Sequence, residues 1–447
     1  MTFTDYAPLA AEIAAIRPAH ALGRVTAIAR GAVEVGGLGT SVALGDMLRV
    51  EPVAGAPVEG EVVVLSGDTV TLLPGGAVDG LSVGDRVRLL GHPALAPDDG
   101  WIGRIVDPYG RPLDGRPLFR GSQARRYRAA PPDAGQRRGL GARLETGLAV
   151  FDTLLPVVRG QRLGLFAGSG VGKSSLLGAL ARGLAADVVV IGLIGERGRE
   201  LRDFVETVLG PAGMARAVIV TATSDKSALT RRRCALAAMT VAEHFRDQGR
   251  HVLLLADSIT RFADAHREVA LAGGESGSLR GYPPSTAHMI MSLCERAGPG
   301  TGAQGDITAV FTVLVPGSDM EEPVADILRG VLDGHVVLDR AIAERGRFPA
   351  IDLLRSVSRS LPAAATTAEN ALISRARRVL GTYDRSEMMI QAGLYTTGSD
   401  PQIDEAVALW PGLDAFLAEP APDGVAASFA RLETLLAPPD PAGGADQ

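Results

Sequence analysis

Four long apolar runs recur through the middle of the chain, with helical stretches between them. The runs start at Asp187, Ala217, His251 and Ile307, and each is nearly continuous in Val, Ile, Leu and Ala. Such runs are typical of strands buried on both faces, whereas a half-exposed strand alternates apolar and polar positions. Because helical stretches such as residues 226–247 separate the runs, the pattern predicts a mostly parallel sheet with helices on both faces.

The pattern changes on either side of this central region. Residues 21–90 are short β-rich runs broken by Gly, Asp and Pro, which predicts a small β-barrel or sandwich. Residues 92–138 form a Pro-, Gly- and Arg-rich connector, and the chain from about Pro362 is helical with no strand candidate. We therefore predict an α/β fold in three domains: an N-terminal helix and β-barrel (1–92), the sheet-containing domain (93–361) and an α-helical domain with a disordered end (362–447).

The first residues have the spacing of an amphipathic helix. Phe3, Tyr6, Leu9, Ile13 and Ile16 recur at helical intervals, and a proline follows shortly after the last of them. The apolar face could dock a partner or a lipid surface. It could equally pack on its own domain as a terminal helix.

Composition narrows the class of protein. The 447 residues are 46% hydrophobic and 21% charged, as in a globular protein, and the net charge of −6 with a pI near 5.7 argues against nucleic acid as the main partner. The two cysteines, Cys234 and Cys294, are far apart and suggest neither a disulfide nor a metal site. Without a signal peptide or a membrane-length apolar window, we expect a cytoplasmic or peripheral membrane protein.

A glycine-dense loop between an apolar run (163–166) and a helix start is the clearest chemical motif. Glycines let backbone N–H groups turn around an anionic phosphate, and a helix N-terminus favours the same charge. Lys173 would reach the β- and γ-phosphates of ATP, and the Ser174 hydroxyl would ligate Mg²⁺. The alternative is an ordinary Gly-rich turn with an exposed lysine. The predicted phosphate-binding residues are Ala167, Gly168, Ser169, Gly170, Val171, Gly172, Lys173, Ser174 and Ser175.

Two carboxylates follow apolar runs of the predicted sheet. Asp257 ends one run, at the edge where a magnesium ligand has to sit, although an Asp there can also cap the following helix. Glu196, two residues after Ile194, could orient and polarise the water that attacks the γ-phosphate. Arg197 would keep Glu196 ionised or touch phosphate. The alternative is a solvated charge run at a strand end.

The combined motifs resemble the export ATPases of flagellar and type III secretion systems, which in turn resemble the catalytic subunit of the rotary F-type ATP synthase. The resemblance rests on A-G-S-G-V-G-K-S, G-E-R-G-R-E, L-L-A-D-S-I-T-R-F-A-D-A-H-R-E, G-Y-P-P-S and R-F-P-A-I-D-L-L-R-S-V-S-R. It covers nearly the whole chain and implies a RecA-like P-loop core between the barrel and the helical domain. It also implies roles for Lys173 and Ser174 in phosphate and magnesium binding, for Glu196 in catalysis and for Asp257 in the magnesium site.

Three further residues take their roles from this resemblance. Arg359 would be an arginine finger that reaches the nucleotide of a neighbouring subunit, with a surface arginine as the alternative. Phe348 matches the position of an aromatic that packs on adenine, and Tyr395 is a second candidate; core packing is the alternative for both. One chain then carries both the phosphate loop and the arginine finger, so a head-to-tail homo-oligomer can complete every nucleotide site. The resemblance implies a six-membered ring.

The leading hypothesis is an ATPase that powers flagellar protein export at the inner face of the cell membrane, with stalk and regulatory proteins, exported substrates and chaperones as partners. A virulence-type secretion ATPase is close to it. A rotary synthase subunit, a nucleic-acid translocase and a non-catalytic nucleotide-binding scaffold fit less well. The loop 273–285 departs from the family, because Ser276-Gly277 replaces a common Pro-Pro pair.

Overall fold

The computed structural model describes residues 6–29, 31–315 and 322–437. Helix α1 (Ala7–Ala15) lies within the predicted N-terminal helix, whereas Phe3 and the predicted disordered end beyond residue 437 lie outside the described residues. Four of the predicted apolar positions are exposed, at 65%, 52%, 61% and 69% for Tyr6, Leu9, Ile13 and Ile16. These four side chains therefore do not pack on the chain's own domain.

Six antiparallel strands close into a barrel after this helix. Alternating residues such as Val33, Val35 and Leu72 point inward and are fully buried, while their neighbours face outward. The order around the barrel is β1-β2-β5-β4-β3-β6. The strands are β1 (Leu22–Ala29), β2 (Ala32–Gly36), β3 (Met47–Glu51), β4 (Val58–Ser66), β5 (Thr69–Pro74) and β6 (Arg86–Gly91).

A nine-stranded, mostly parallel sheet forms the centre of the molecule. Its strands are β8 (Arg104–Val106), β10 (Arg162–Ala167), β11 (Val188–Ile194), β12 (Ala217–Ala222), β13 (Val252–Asp257), β14 (Gly298–Pro299), β15 (Asp306–Leu314), β16 (Gly334–Leu338) and β17 (Ile351–Ser358). They lie in the order β17-β16-β10-β15-β13-β11-β12-β8, with β14 paired to β15. Every residue of β11, β12 and β13 is buried, which confirms the prediction from the unbroken apolar runs. A separate two-stranded sheet pairs β7 (Ala94–Leu95) with β9 (Arg125–Arg126).

Strand β8 lies within the Pro-, Gly- and Arg-rich connector, residues 92–138. Three residues pair in parallel with Val218, Ile219 and Val220 at the edge of the sheet. Arg104 begins the strand and is buried, and its guanidinium binds Asp114 at 2.6 Å. That ion pair fixes the turn-rich segment to the sheet, so the sheet begins before the connector ends.

Helices cover both faces of the sheet and form the C-terminal region. They are α2 (Ala149–Asp152), α3 (Lys173–Gly183), α4 (Gly198–Asp203), α5 (Gly210–Met214), α6 (Ala228–Asp247), α7 (Ile259–Ala272), α8 (Ser285–Glu295), α9 (Pro323–Val331), α10 (Arg340–Glu344), α11 (Thr367–Gln391), α12 (Pro401–Phe416) and α13 (Gly424–Leu436). A one-turn π-helix, Phe204–Leu209, lies between α4 and α5. The barrel, the mostly parallel sheet and the C-terminal helices confirm the predicted fold class.

The C-terminal helices share a hydrophobic core with one face of the sheet. Ile373, Phe416 and Leu432 belong to the same buried cluster as Leu165 and Ile191 of the sheet. The predicted helical region is thus packed directly against the strands that carry the phosphate loop. No helix among residues 6–29, 31–315 and 322–437 is long and apolar enough to cross a membrane.

Candidate functional site

The phosphate loop connects the end of β10 to the start of α3. Gly170 and Gly172 adopt φ values of +78° and +86°, in the left-handed region that side chains other than glycine rarely adopt. A Cβ at position 172 would also lie 3.0 Å from the ring of Phe348. The two glycines are therefore required by backbone geometry, and one of them also by the neighbouring aromatic ring.

The loop lines one side of a cleft of about 510 Å³. Val171 does not line the cleft, because its side chain is 1% exposed and belongs to the hydrophobic core. The opposite side includes Glu196, Arg197, Glu200 and Arg261. The predicted loop residues that do line the cleft are Ala167, Gly168, Ser169, Gly170, Gly172, Lys173, Ser174 and Ser175.

Parallel strands bring the charged groups to the loop. β10, β11, β13 and β15 run in the same direction, so the residues that follow their carboxyl ends meet at one edge of the sheet. The Lys173 ammonium contacts the carboxylate of Asp257 and lies 3.8 Å from Oε1 of Glu196. The lysine is only 12% exposed, which excludes the alternative of an ordinary turn with an exposed lysine.

Asp257 is a buried carboxylate rather than a helix cap. It is 4% exposed, and its Oδ1 accepts a hydrogen bond from the Thr312 hydroxyl at 2.6 Å. The following residue, Ser258, caps α7 through its hydroxyl, which accepts from the backbone N–H of Arg261. The strand end therefore leaves the Asp257 carboxylate facing the phosphate loop.

Glu196 occupies an environment that favours its protonated form. Burial, a hydrogen bond with Glu200 and the charge of Asp257 raise its pKa to about 7, although the Lys173 ammonium opposes the shift. Glu200 accepts that hydrogen bond, and its own pKa is lowered. With a side chain 19% exposed, Glu196 is not part of a solvated charge run.

The structure corrects the expected partner of Arg197. Its guanidinium binds Oε1 of Glu200 at 2.7 Å, and its side chain is 77% exposed. Since the pKa of Glu196 is raised rather than lowered, Arg197 does not keep Glu196 ionised. Arg197 still lines the cleft, where it can reach a phosphate.

We expect the rate of ATP hydrolysis to rise between pH 6 and pH 8 with a midpoint near 7, because a water-polarising Glu196 must be ionised and its pKa is raised to about 7. Glu200→Gln removes the carboxylate that accepts a hydrogen bond from protonated Glu196, so its profile should move to lower pH by about one unit. Phosphate release at saturating ATP measures both profiles. A flat wild-type profile, or a shift to higher pH in the variant, would contradict this account.

The other predicted residues lie in three different places. The ring of Phe348 is 51% exposed beside the phosphate loop. Tyr395 lies between α11 and α12, where its hydroxyl donates to Oδ1 of Asp404 at 2.8 Å, and it is not among the residues that line the cleft. Arg359 follows β17, is exposed and donates to the backbone carbonyl of Arg329. It too is absent from the lining of its own chain's cleft.

Several cleft residues were not singled out from the sequence. Leu314 at the end of β15 and Val315 after it line the cleft, and Thr312 of β15 supports the site by donating to Asp257; the run of β15 carries no motif. Arg261 lies four residues after Asp257, about one helical turn further along the chain. This spacing is the signal that could have identified it, because it places a charged side chain close to the strand end.

The side-chain oxygens near the phosphate loop are suitable ligands for a magnesium ion that is bound to a nucleotide. Mg²⁺ takes oxygen ligands and is commonly held by one or two protein oxygens together with phosphates and water. The Ser174 hydroxyl lines the cleft, and the buried Asp257 carboxylate lies beside the loop lysine. No group of three or more His, Cys, Asp or Glu side chains that could hold a metal alone occurs among the residues that the structure describes.

Comparisons with known proteins agree with this geometry. The nucleotide-binding domain of the ATP synthase alpha/beta family matches residues 147–358, and the T3SS EscN ATPase C-terminal domain matches residues 365–433. The "Flagellum-specific ATP synthase" of Caulobacter vibrioides is 44% identical, covering 92% of this chain and 94% of the relative. The "Type 3 secretion system ATPase" of Xanthomonas euvesicatoria is 40% identical and covers 92% of each chain.

The chain is also similar to solved structures of a type III secretion ATPase. The assembled ATPase EscN of the enteropathogenic E. coli type III secretion system superposes with a TM-score of 0.86 at 36% identity, covering 93% of this chain and 100% of EscN. EscN in complex with its central stalk EscO gives a TM-score of 0.84 at the same identity and coverage. The similarity therefore extends over the barrel, the sheet and the C-terminal helices.

Proposed function

Because this chain belongs to the family of flagellar and type III secretion ATPases, we propose that it hydrolyses ATP to ADP and phosphate in a ring of six identical subunits and energises flagellar protein export. The observation that carries the proposal is the convergence of Lys173, Asp257 and Glu196 at the phosphate loop. Each of the three follows a different strand of the sheet, and together they provide a cation for phosphate, a carboxylate for Mg²⁺ and a carboxyl group for the attacking water.

Lys173 neutralises charge on the β- and γ-phosphates that the loop cradles. Its present contacts with two carboxylates hold the ammonium at the loop until phosphate oxygens replace them. Glu196 orients and polarises the attacking water from the opposite side of the cleft. Ser174 and Asp257 would hold Mg²⁺, which would supply positive charge that stabilises the transferring phosphoryl group. Arg197 touches phosphate from the exposed rim.

Arg359 acts as the finger of a neighbouring subunit. Its exposed position outside its own chain's cleft supports this role, because a finger in trans has to be available on the surface. The similarity to the assembled form of EscN supports a homo-oligomer. Phe348 packs on adenine at the open end of the phosphate loop. Tyr395 remains a second candidate for the base.

The partners follow from the same family membership. EscN has been captured with a central stalk, and we propose that this ring likewise holds a stalk protein, meets regulatory proteins of the export apparatus and receives exported proteins with their chaperones. The exposed apolar side chains of α1 suit a regulatory partner or peripheral contact with the cytoplasmic face of the membrane.

A virulence-type secretion ATPase is the second candidate, since the Xanthomonas relative and EscN belong to that branch. The flagellar branch is favoured because relatives named for the flagellum reach 44% and 45% identity. A rotary synthase subunit is a weaker alternative, because such a subunit receives its arginine finger from a different partner chain. Arg359 would then have no nucleotide site of an identical subunit to contact.

Deleting the gene from its source organism is expected to abolish flagellar filaments and swimming, because filament subunits reach the cell surface through the export apparatus. A plasmid copy should restore both, and a Glu196→Gln copy should not. Glu206→Gln is the matched control, since Glu206 is an exposed glutamate outside the cleft. Normal swimming in the deletion strain together with loss of another secretion activity would favour the virulence branch.

A further inference from the structure

Two buried arginines share one carboxylate where the barrel meets the ATPase domain. Nη2 of Arg232 and Nη2 of Arg233, on neighbouring positions of α6, bind the two oxygens of Glu61 on β4 at 2.7 and 2.6 Å. The three side chains are 6%, 4% and 10% exposed. Two guanidinium charges face one carboxylate, so this cluster holds one positive charge more than its carboxylate can neutralise. A buried charge that is not paired is costly.

The hydrogen bonding of the cluster is also incomplete. Nη1 of Arg233 is buried and has no hydrogen-bond partner among the described residues. The guanidinium lies 4.8 Å from the ring centroid of Tyr109 and 5.4 Å from that of Tyr127, and these aromatic faces compensate part of its charge. Arg232 makes one side-chain hydrogen bond within the described part of the chain, to Glu61, out of five possible donors.

A third arginine adds to the excess. Burial lowers the pKa of Arg232; Glu61 raises it, and the charges of Arg128 and Arg233 lower it further. Two further carboxylates in this region have other partners: Asp46 lies 3.3 Å from Nδ1 of His92, and Glu275 accepts hydrogen bonds from the backbone and hydroxyl of Ser285. Three guanidinium groups therefore surround one buried carboxylate.

A cavity of about 50 Å³ adjoins the cluster. Arg128, Arg232, Arg233, Glu61 and His92 contribute to its lining. A single water needs roughly 10–15 Å³ of such space, so the cavity has room for a small ion with its water. It is too small for a nucleotide, a sugar or a peptide side chain with backbone.

We propose that this cavity is a binding site for a small inorganic anion, chloride in the cell, held by the guanidinium groups of Arg232 and Arg128 that line it. The anion neutralises the positive charge that Glu61 leaves unpaired and so strengthens the junction between barrel and ATPase domain. The site is separate from the phosphate cleft and independent of the proposed export function.

Thermal unfolding of the wild-type chain in sodium chloride and in sodium gluconate at equal ionic strength tests the site, because gluconate is too large to enter. A midpoint about 2–4 °C higher in chloride, saturating with concentration, is expected. Equal midpoints in the two salts would overturn the proposal.

Variants separate the site from general salt effects. Arg232→Met leaves one arginine for Glu61, so its midpoint should be the same in both salts. Arg231→Met is the matched control: Arg231 is adjacent on α6 but binds Glu268 at 3.0 Å outside the cavity, and it should keep the wild-type shift. If Arg232→Met does not fold, Arg128→Met, at an exposed position, should weaken the chloride dependence. An unchanged chloride shift in the cavity variant that folds would overturn the proposal.

Bromide, which replaces chloride and scatters anomalously, gives a direct readout in crystals of the wild-type chain. A peak within hydrogen-bond distance of Arg232 is expected. A cavity that contains only water under the same conditions would contradict the assignment.

Discussion

Lys173→Ala chains should hydrolyse ATP at least about 10³-fold more slowly than the wild type, because the ammonium that neutralises the β- and γ-phosphates is lost. The substitution also leaves Asp257 and Glu196 without the cation between them. Because the Lys173 ammonium is the group that opposes the rise in the pKa of Glu196, its loss raises that pKa further and leaves less of the ionised carboxylate that polarises water. Steady-state phosphate release at saturating ATP measures the loss.

The chain supplies its own control for this experiment, since Lys226 is its other lysine. Lys226 is 57% exposed and pairs with Asp225 at 3.3 Å, away from the cleft. Lys226→Ala should retain nearly full activity. If Lys173→Ala folds normally and keeps more than about a tenth of the wild-type rate, the phosphate loop is not the site of hydrolysis.

Mixing two inactive variants should restore hydrolysis if each site is shared between subunits. Glu196→Gln removes the group that polarises water, and Arg359→Ala removes the finger, so each is expected to lose activity by about 10²-fold or more. In rings assembled at random from equal amounts, a site works when one chain keeps Glu196 and its neighbour keeps Arg359. That occurs at about a quarter of the interfaces of a head-to-tail ring.

The expected rate of the mixture is therefore about a quarter of the wild-type rate per subunit. Arg355→Ala is a matched control on β17, because Arg355 is also exposed but pairs with Asp339 within its own chain. Its activity should remain close to wild type. A mixture no more active than its components, with Arg359→Ala active by itself, would place both groups outside a shared site.

The sequence determined the elements that carry the chemistry. Unbroken apolar runs located β11, β12 and β13, because strands buried on both faces need apolar side chains at every position. The glycines at 170 and 172 marked the phosphate loop, since the chain adopts left-handed backbone geometry there. Carboxylates placed directly after two runs could be assigned to one sheet edge, because parallel strands end together.

Only the tertiary structure decided what these groups contact. Thr312 reaches Asp257 from β15, and Glu200 rather than Glu196 takes the guanidinium of Arg197. The connector contributes β8 to the sheet, and the C-terminal helices share its core. The physical reason is that local pattern fixes backbone conformation and which side of an element is apolar. Pairing across the sheet, and the burial that raises the pKa of Glu196, depend on residues distant in sequence.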